Sequence, residues 1–125
     1  MKPRDVTTHD FQDVVGQGIV LVDWWASWCA PCRAFAPVFE AAAAANADVT
    51  FVKVDTDAEG GLAQAFAIRS IPTLMAFRDG ILVFSQPGML PARALDALLD
   101  DVRALDMDEV RRRVAEAESK RASVG

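Results

Sequence analysis

The 125-residue chain has two cysteines, one histidine and no long apolar run, and each shortage removes a class of function. Two cysteines cannot build a disulfide framework, and Cys29 and Cys32 lie within a single four-residue stretch. A bridge closing so small a loop restricts the unfolded chain by only roughly 2 kcal/mol before strain is subtracted. The pair is therefore better explained by reactivity than by stability. A zinc site needs four ligands, and two thiolates with His9 fall short of it. His9 reads more simply as an exposed residue in the first turn of a helix, and no metal is expected.

Positive charge is scarce as well. Thirteen Lys and Arg against eighteen Asp and Glu leave a formal net charge of −5. That balance disfavours nucleic-acid binding and electrostatic membrane binding, which both need clustered positive charge. No apolar stretch is long enough to span a bilayer. The start, Met1-Lys2-Pro3-Arg4-Asp5, lacks the apolar core of a secretory leader, so a reducing cytoplasm is the expected compartment. There is no internal repeat and no linker. What remains, 52% apolar and 25% charged residues, is the composition of one globular domain.

The apolar pattern predicts alternating elements. Thr8 is read as the N-cap of a short helix carrying Phe11, Val14 and Val15, stopped by Gly16 and Gly18. Residues 19–26 form an apolar run with little alternation, as a strand buried on both faces does, interrupted only by Asp23. A helix follows from Pro31 to about Asn46, marked by Phe35, Val38, Phe39 and Ala42 and expected to kink at Pro37. Residues 50–55 read as a parallel strand and 59–66 as a short helix. Strands over 73–78 and 81–86 flank Asp79-Gly80, a type I′ hairpin signal. Pro91 can open a last helix with the stripe Leu95, Leu98, Leu99, Val102 and Leu105. The sum is an α/β chain: a mixed sheet with helices on both faces.

The final twenty residues differ in charge. Positions 106–125 hold five acids and five bases, whereas positions 1–105 carry the whole −5. Residues 1–105 are thus expected to form the domain and 106–125 a charged, helical C-terminal extension. Asp106 with Glu109 resembles a capping box, and Glu116 is spaced to pair with Arg112 and Lys120, giving a helix to about Ser119. Its apolar edge, Met107, Val110, Val114 and Ala117, is thin. The extension is either a solvated helix or a contact for a partner.

A bare C-x-x-C is a weak signal, and its setting decides how it is read. The pair sits where a buried strand ends and a helix begins. Cys29 therefore faces unpaired backbone N–H groups and the positive end of the helix dipole, which favour thiolate. Cys32 lies one turn deeper on the same face, within reach of Cys29 but shielded by it. An exposed nucleophile backed by a resolving thiol is expected, with Pro31 limiting how far the sulfurs separate.

The string Trp28-Cys29-Ala30-Pro31-Cys32-Arg33 resembles the active-site motif of the thioredoxin family. The wider run from Val22 to Cys32 followed by Pro37, and Arg69-Ser70-Ile71-Pro72-Thr73 with Pro72 forty positions after Cys32, strengthen the likeness over residues 6–105. The resemblance implies the thioredoxin fold and a protein dithiol–disulfide oxidoreductase that reduces protein disulfides through Cys29 and Cys32. It implies no bound cofactor. Electrons are expected from an NADPH-dependent, thioredoxin-reductase-like flavoprotein, since no G-x-G-x-x-G is present here. Disulfide-containing proteins are the expected partners, and the protein is expected to be a monomer.

Individual roles follow. Asp23 would be costly as a buried anion, so it should hold a proton near neutrality. The resemblance implies that it accepts the Cys32 proton through a water. Lys53 is read as its ion-pair partner or as a side chain snorkelling to solvent. Ile71-Pro72 resembles the family's cis-proline segment, with Ile71 backbone available to an extended substrate strand. Gly88 matches the family's glycine in the substrate groove, where a missing side chain permits close approach. Trp28, Ala30, Pro31, Ile71 and Pro72 complete the substrate-facing rim. Trp24 is assigned to the core and Trp25 to packing beneath the site. Alternatives are an oxidant or isomerase on the same fold, and a scaffold acting through the groove or the tail.

Overall fold

In the computed structural model, which describes residues 2–124, ten elements follow one another. These are β1 (Arg4–Asp5), α1 (Phe11–Val15), β2 (Ile19–Trp25), α2 (Ala30–Ala45), β3 (Val49–Asp55), α3 (Gly60–Ala65), β4 (Thr73–Arg78), β5 (Ile81–Pro87), α4 (Ala92–Ala104) and α5 (Met107–Val124). The five strands form one sheet in the order β1-β3-β2-β4-β5. β3 pairs parallel with β1 and with β2, and β4 pairs antiparallel with β2 and with β5. β1 escapes the sequence reading because two polar residues carry no periodicity; parallel pairing with Val52 and Lys53 creates it.

β2 is central and its alternation now matters. Leu21 joins Phe35 and Phe39 of α2 and Leu95 and Leu99 of α4 in one core, while Val20, Val22 and Trp24 face Phe11, Leu62 and Phe77 on the other side. Asp23, in step with Leu21 and Trp25, therefore points to the face that α2 and α4 cover.

Local chemistry explains most boundaries. Asp79 and Gly80 both have positive φ, 51° and 84°, as a type I′ turn requires. α2 runs through Pro37 without a break. Pro91 precedes α4 as its N-cap rather than opening it. Thr8 does not cap α1: its N–H and hydroxyl donate to Glu59, at 2.9 and 3.1 Å. Thr7 begins that turn instead, its N–H donating to Asp10 Oδ1 at 2.7 Å and its carbonyl accepting from the Asp10 and Phe11 N–H groups.

α5 extends to Val124, beyond the expected Ser119. Asp106 Oδ1 accepts from the N–H groups of Asp108 and Glu109, at 3.1 and 3.2 Å, which is half of a capping box. Glu109 does not return the bond; its carboxylate pairs with Arg112 and Arg113. Those pairs, with Arg111 to Asp108 and to Asp79 of the hairpin, replace the expected Arg112–Glu116–Lys120 series. Met107 is buried, and from Arg111 to Ser123 every side chain is exposed.

Candidate active site

Cys29 is the N-cap of α2, with extended backbone, and Cys32 lies in the helix's first turn. The two form a disulfide. The Cys32 N–H points at Cys29 Sγ, 3.2 Å away, so an otherwise orphaned helix donor is spent on the sulfur. Such a donor favours negative charge there once the bridge is reduced. Pro31 follows at N2, where its missing N–H leaves no bond unmade.

Both sulfur residues are buried in the disulfide form, Cys29 4% and Cys32 2% exposed, so the expected contrast between an open and a shielded cysteine is small. Ala26, Trp25 and Ile71 pack around them. The Ile71 carbonyl oxygen lies 3.6 Å from Cys29 Sγ, which brings the segment before β4 against the helix end. The Ile71–Pro72 peptide bond is cis. Two bonds tie this segment down: Thr73 Oγ1 donates to the Ser70 carbonyl at 2.7 Å, and Gly88 N–H to the Pro72 carbonyl at 2.7 Å.

Gly88 is thus bound to the cis-proline segment, and its backbone gives a reason for glycine there. A Cβ built on it would meet nothing within 4 Å, but its φ of +93° is one that L side chains rarely adopt. Trp28, Ala30 and Pro31, the chain neighbours of the two cysteines, are exposed, as are Gly88 and Met89; Ile71 is half-buried and Pro72 buried.

Trp28 is 66% exposed yet held in place, its Nε1 donating to Asp57 at 2.8 Å. Sequence reasoning missed Asp57 and saw only a polar turn. The available signal was its place just past the end of β3, because open α/β sheets build their sites at the carboxyl ends of strands. Asp55 Oδ1 shapes that turn by accepting the N–H of Asp57 at 2.9 Å, and Thr56 clamps it to the Trp25 carbonyl through N–H and hydroxyl, at 2.9 and 3.1 Å. Arg33 closes the loop on the other side by donating to the Ser27 carbonyl at 2.9 Å.

Asp23 is 1% exposed and neither carboxylate oxygen has a hydrogen-bond partner. Burial pushes its carboxyl up to about 7, and the charge of Lys53 pulls the other way. Lys53 stands directly across the sheet, in register with Asp23. The expected ion pair is nevertheless not formed: the Lys53 ammonium lies over the Trp25 ring, 4.5 Å from its centroid. The half-buried Lys53 opens on a cavity of about 500 Å³ also lined by Trp25 and Glu40. Among the described residues, no group of three or more His, Cys, Asp or Glu side chains could hold a metal ion.

A disulfide on a helix N-terminus, facing a cis-proline loop, can exchange with an external disulfide. Comparisons with known proteins agree. Residues 2–101 match the family model described as Thioredoxin. The chain is 52% identical over 117 residues to a putative thioredoxin 2 of Streptomyces coelicolor, covering 93% of this chain and 87% of that one. It is 44% identical to a thioredoxin of Alicyclobacillus acidocaldarius, covering 78% and 94%. Among solved structures, a mutant thioredoxin from Halobacterium salinarum superposes with a TM-score of 0.77 at 34% identity, covering 83% of this chain and 93% of that one.

Proposed function

Because this chain belongs to the thioredoxin family and is a protein dithiol–disulfide oxidoreductase, we propose a role for each residue around its redox-active pair. The reaction is reduction of disulfide-containing proteins, and the redox group is the Cys29–Cys32 pair itself. The observation that carries the residue roles is the position of that pair, between the α2 N-terminus and the Ile71 carbonyl, in a chain that also buries an acid with no partner.

In the reduced protein, the Cys29 thiolate attacks one sulfur of a substrate disulfide. The substrate S–S bond breaks, a mixed disulfide forms on Cys29, and the first substrate sulfur leaves as thiolate and takes up a proton. Asp23 then accepts the Cys32 thiol proton, relayed through water. The Cys32 thiolate attacks Cys29 Sγ and expels the second substrate thiolate. Two electrons have passed to the substrate and the Cys29–Cys32 bridge is closed. A carboxyl at about 7 is suited to this duty, since it is populated in both forms near neutrality. Lys53 tunes Asp23 by its charge.

Trp28, Ala30, Pro31, Ile71, Pro72 and Gly88 form the face that meets substrate, with the Ile71 backbone pairing with an extended segment. Trp28 is kept at that rim by Asp57. A thioredoxin-reductase-like flavoprotein drawing on NADPH is the proposed donor that restores the dithiol. One chain carries every residue named here, so the proposed working form is a monomer, and the reducing direction fits the cytoplasm. Residues 1–105 are proposed as the catalytic domain and 106–125 as an extension.

The test is trapping. Cys32→Ser is expected to accumulate a mixed disulfide between Cys29 and a substrate protein, read by mass spectrometry of the cross-linked peptides. Cross-links at position 32 in a Cys29→Ser variant, with none at Cys29, would reverse the assignment.

A further inference from the structure

The sheet gives Lys53 a choice of partners. Asp23 on β2 and Asp5 on β1 both stand in register with it, so two carboxylates flank it on the same face. Glu40 of α2 and Lys2 line the same cavity. Across β2 and β4 the residue opposite Asp23 is Leu74, so no further charge faces the acid from that side. Yet among the described residues Lys53 forms no ion pair with any carboxylate. Its ammonium sits on the Trp25 ring instead.

Trp25 is placed for this. It follows Asp23 by two positions on β2, so its side chain shares that face of the sheet and lies diagonal to Lys53. The polar atom of its ring, Nε1, is buried without a partner. Tryptophan at this position is therefore not explained by its hydrogen-bonding handle. What the ring offers is its electron-rich face, which attracts a cation.

We propose that Trp25 is a positioning residue: its indole face holds the Lys53 ammonium away from Asp23, leaving the buried acid without an ionic partner and free to exchange a proton with Cys32. Were Lys53 released, the carboxylates in register with it across the sheet would be Asp5 and Asp23, and any approach to Asp23 would set an ammonium beside the buried acid. A close ammonium stabilises carboxylate over acid, and Asp23 would then ionise earlier and become a weaker acceptor for the Cys32 proton. Trp25 thereby sets the pH range over which the resolving step runs, through Lys53 and without touching substrate.

The inference rests on Asp23 being the acceptor for Cys32, and its test is independent of turnover. The titration of Asp23 is followed by the ¹³C shift of its carboxyl in the oxidised protein, where neither cysteine titrates. Trp25→Leu is expected to lower the Asp23 midpoint by about one pH unit or more. Trp25→Phe, which keeps a weaker aromatic face, should fall between. In a Lys53→Met background, Trp25→Leu should add no downward shift, because the cation it frees is gone. An unmoved midpoint in Trp25→Leu, or an equal downward shift without Lys53, overturns the proposal. In the unsubstituted protein the Lys53 side-chain protons should show upfield ring-current shifts; their absence also overturns it. Failure of the Asp23 role itself would appear elsewhere, as an unchanged resolving step in Asp23→Asn.

Discussion

The β2–α2 corner and α5 handle charge in opposite ways. Along α5 the acids and bases pair with neighbours three or four residues away, in the open: Glu109 with Arg112 and Arg113, Asp108 with Arg111. Such pairs are screened by water and contribute little each. At the corner, one acid is sealed from solvent with both oxygens unpartnered, and the nearest cation rests on an aromatic ring. An extended surface satisfies its charges locally, whereas the acid at the corner stays unsatisfied, as the proton exchange proposed for it requires. The family model ends at residue 101, before α5 begins. A match covering 93% of this chain must enter α5 wherever it starts, so the Streptomyces relative shares part of the extension.

The strongest way to break this contrast is to exchange the fates of the two regions. Cys29→Ser is expected to abolish reduction of a disulfide protein, measured by the release of free thiols, whereas deleting residues 106–125 should leave the rate within about twofold. A truncated chain that lost turnover would place part of the chemistry in α5.

Next in size is the linkage of Asp23 to stability. Unfolded, its carboxyl ionises near 3.8, and folded at about 7, so the native state binds the extra proton between those values. Stability is therefore present at low pH and lost as pH rises through about 7, by up to about 4 kcal/mol. Denaturant titrations from about pH 4 to pH 8 should show that fall in the native sequence and lack it in Asp23→Asn. The same variant should resolve mixed disulfides slowly at all pH values. The native resolving rate should drop below about pH 7, as the acid becomes protonated and can no longer accept.

Smaller effects sharpen the boundary between the regions. Gly88→Ala is expected to lower stability by about 1 kcal/mol, from backbone strain at φ +93° alone, since the added methyl meets nothing. A thermal or denaturant midpoint reads it. Glu109→Gln removes the carboxylate on which two arginines converge and should change stability by no more than about 0.5 kcal/mol, less at high salt. A larger loss would show that α5 is fastened to the domain by more than Met107 and the Arg111–Asp79 pair.

Much of this molecule is legible from local pattern. The runs at 19–25, 49–55 and 73–78, the Asp79-Gly80 turn and the leucine stripe of α4 each declare their element, because strand alternation, turn chemistry and helical periodicity act over a few residues. The C-x-x-C at a strand-to-helix junction and the Ile71-Pro72 pair mark the site for the same reason. Legibility fails where a residue's partner is distant in sequence. β1 exists only because β3 pairs with it, and Thr8 leaves α1 to bind Glu59.

Local pattern thus suffices for every element but β1, for the reactive pair and for the family. The assembled fold adds that Trp28 is anchored by Asp57, that Gly88 holds a φ of +93°, and that Lys53 rests on Trp25 and not on Asp23. Those outcomes depend on which side chains the sheet brings onto one face and how deeply it buries them. Burial and cross-strand register are properties of the assembled fold, and local pattern carries neither.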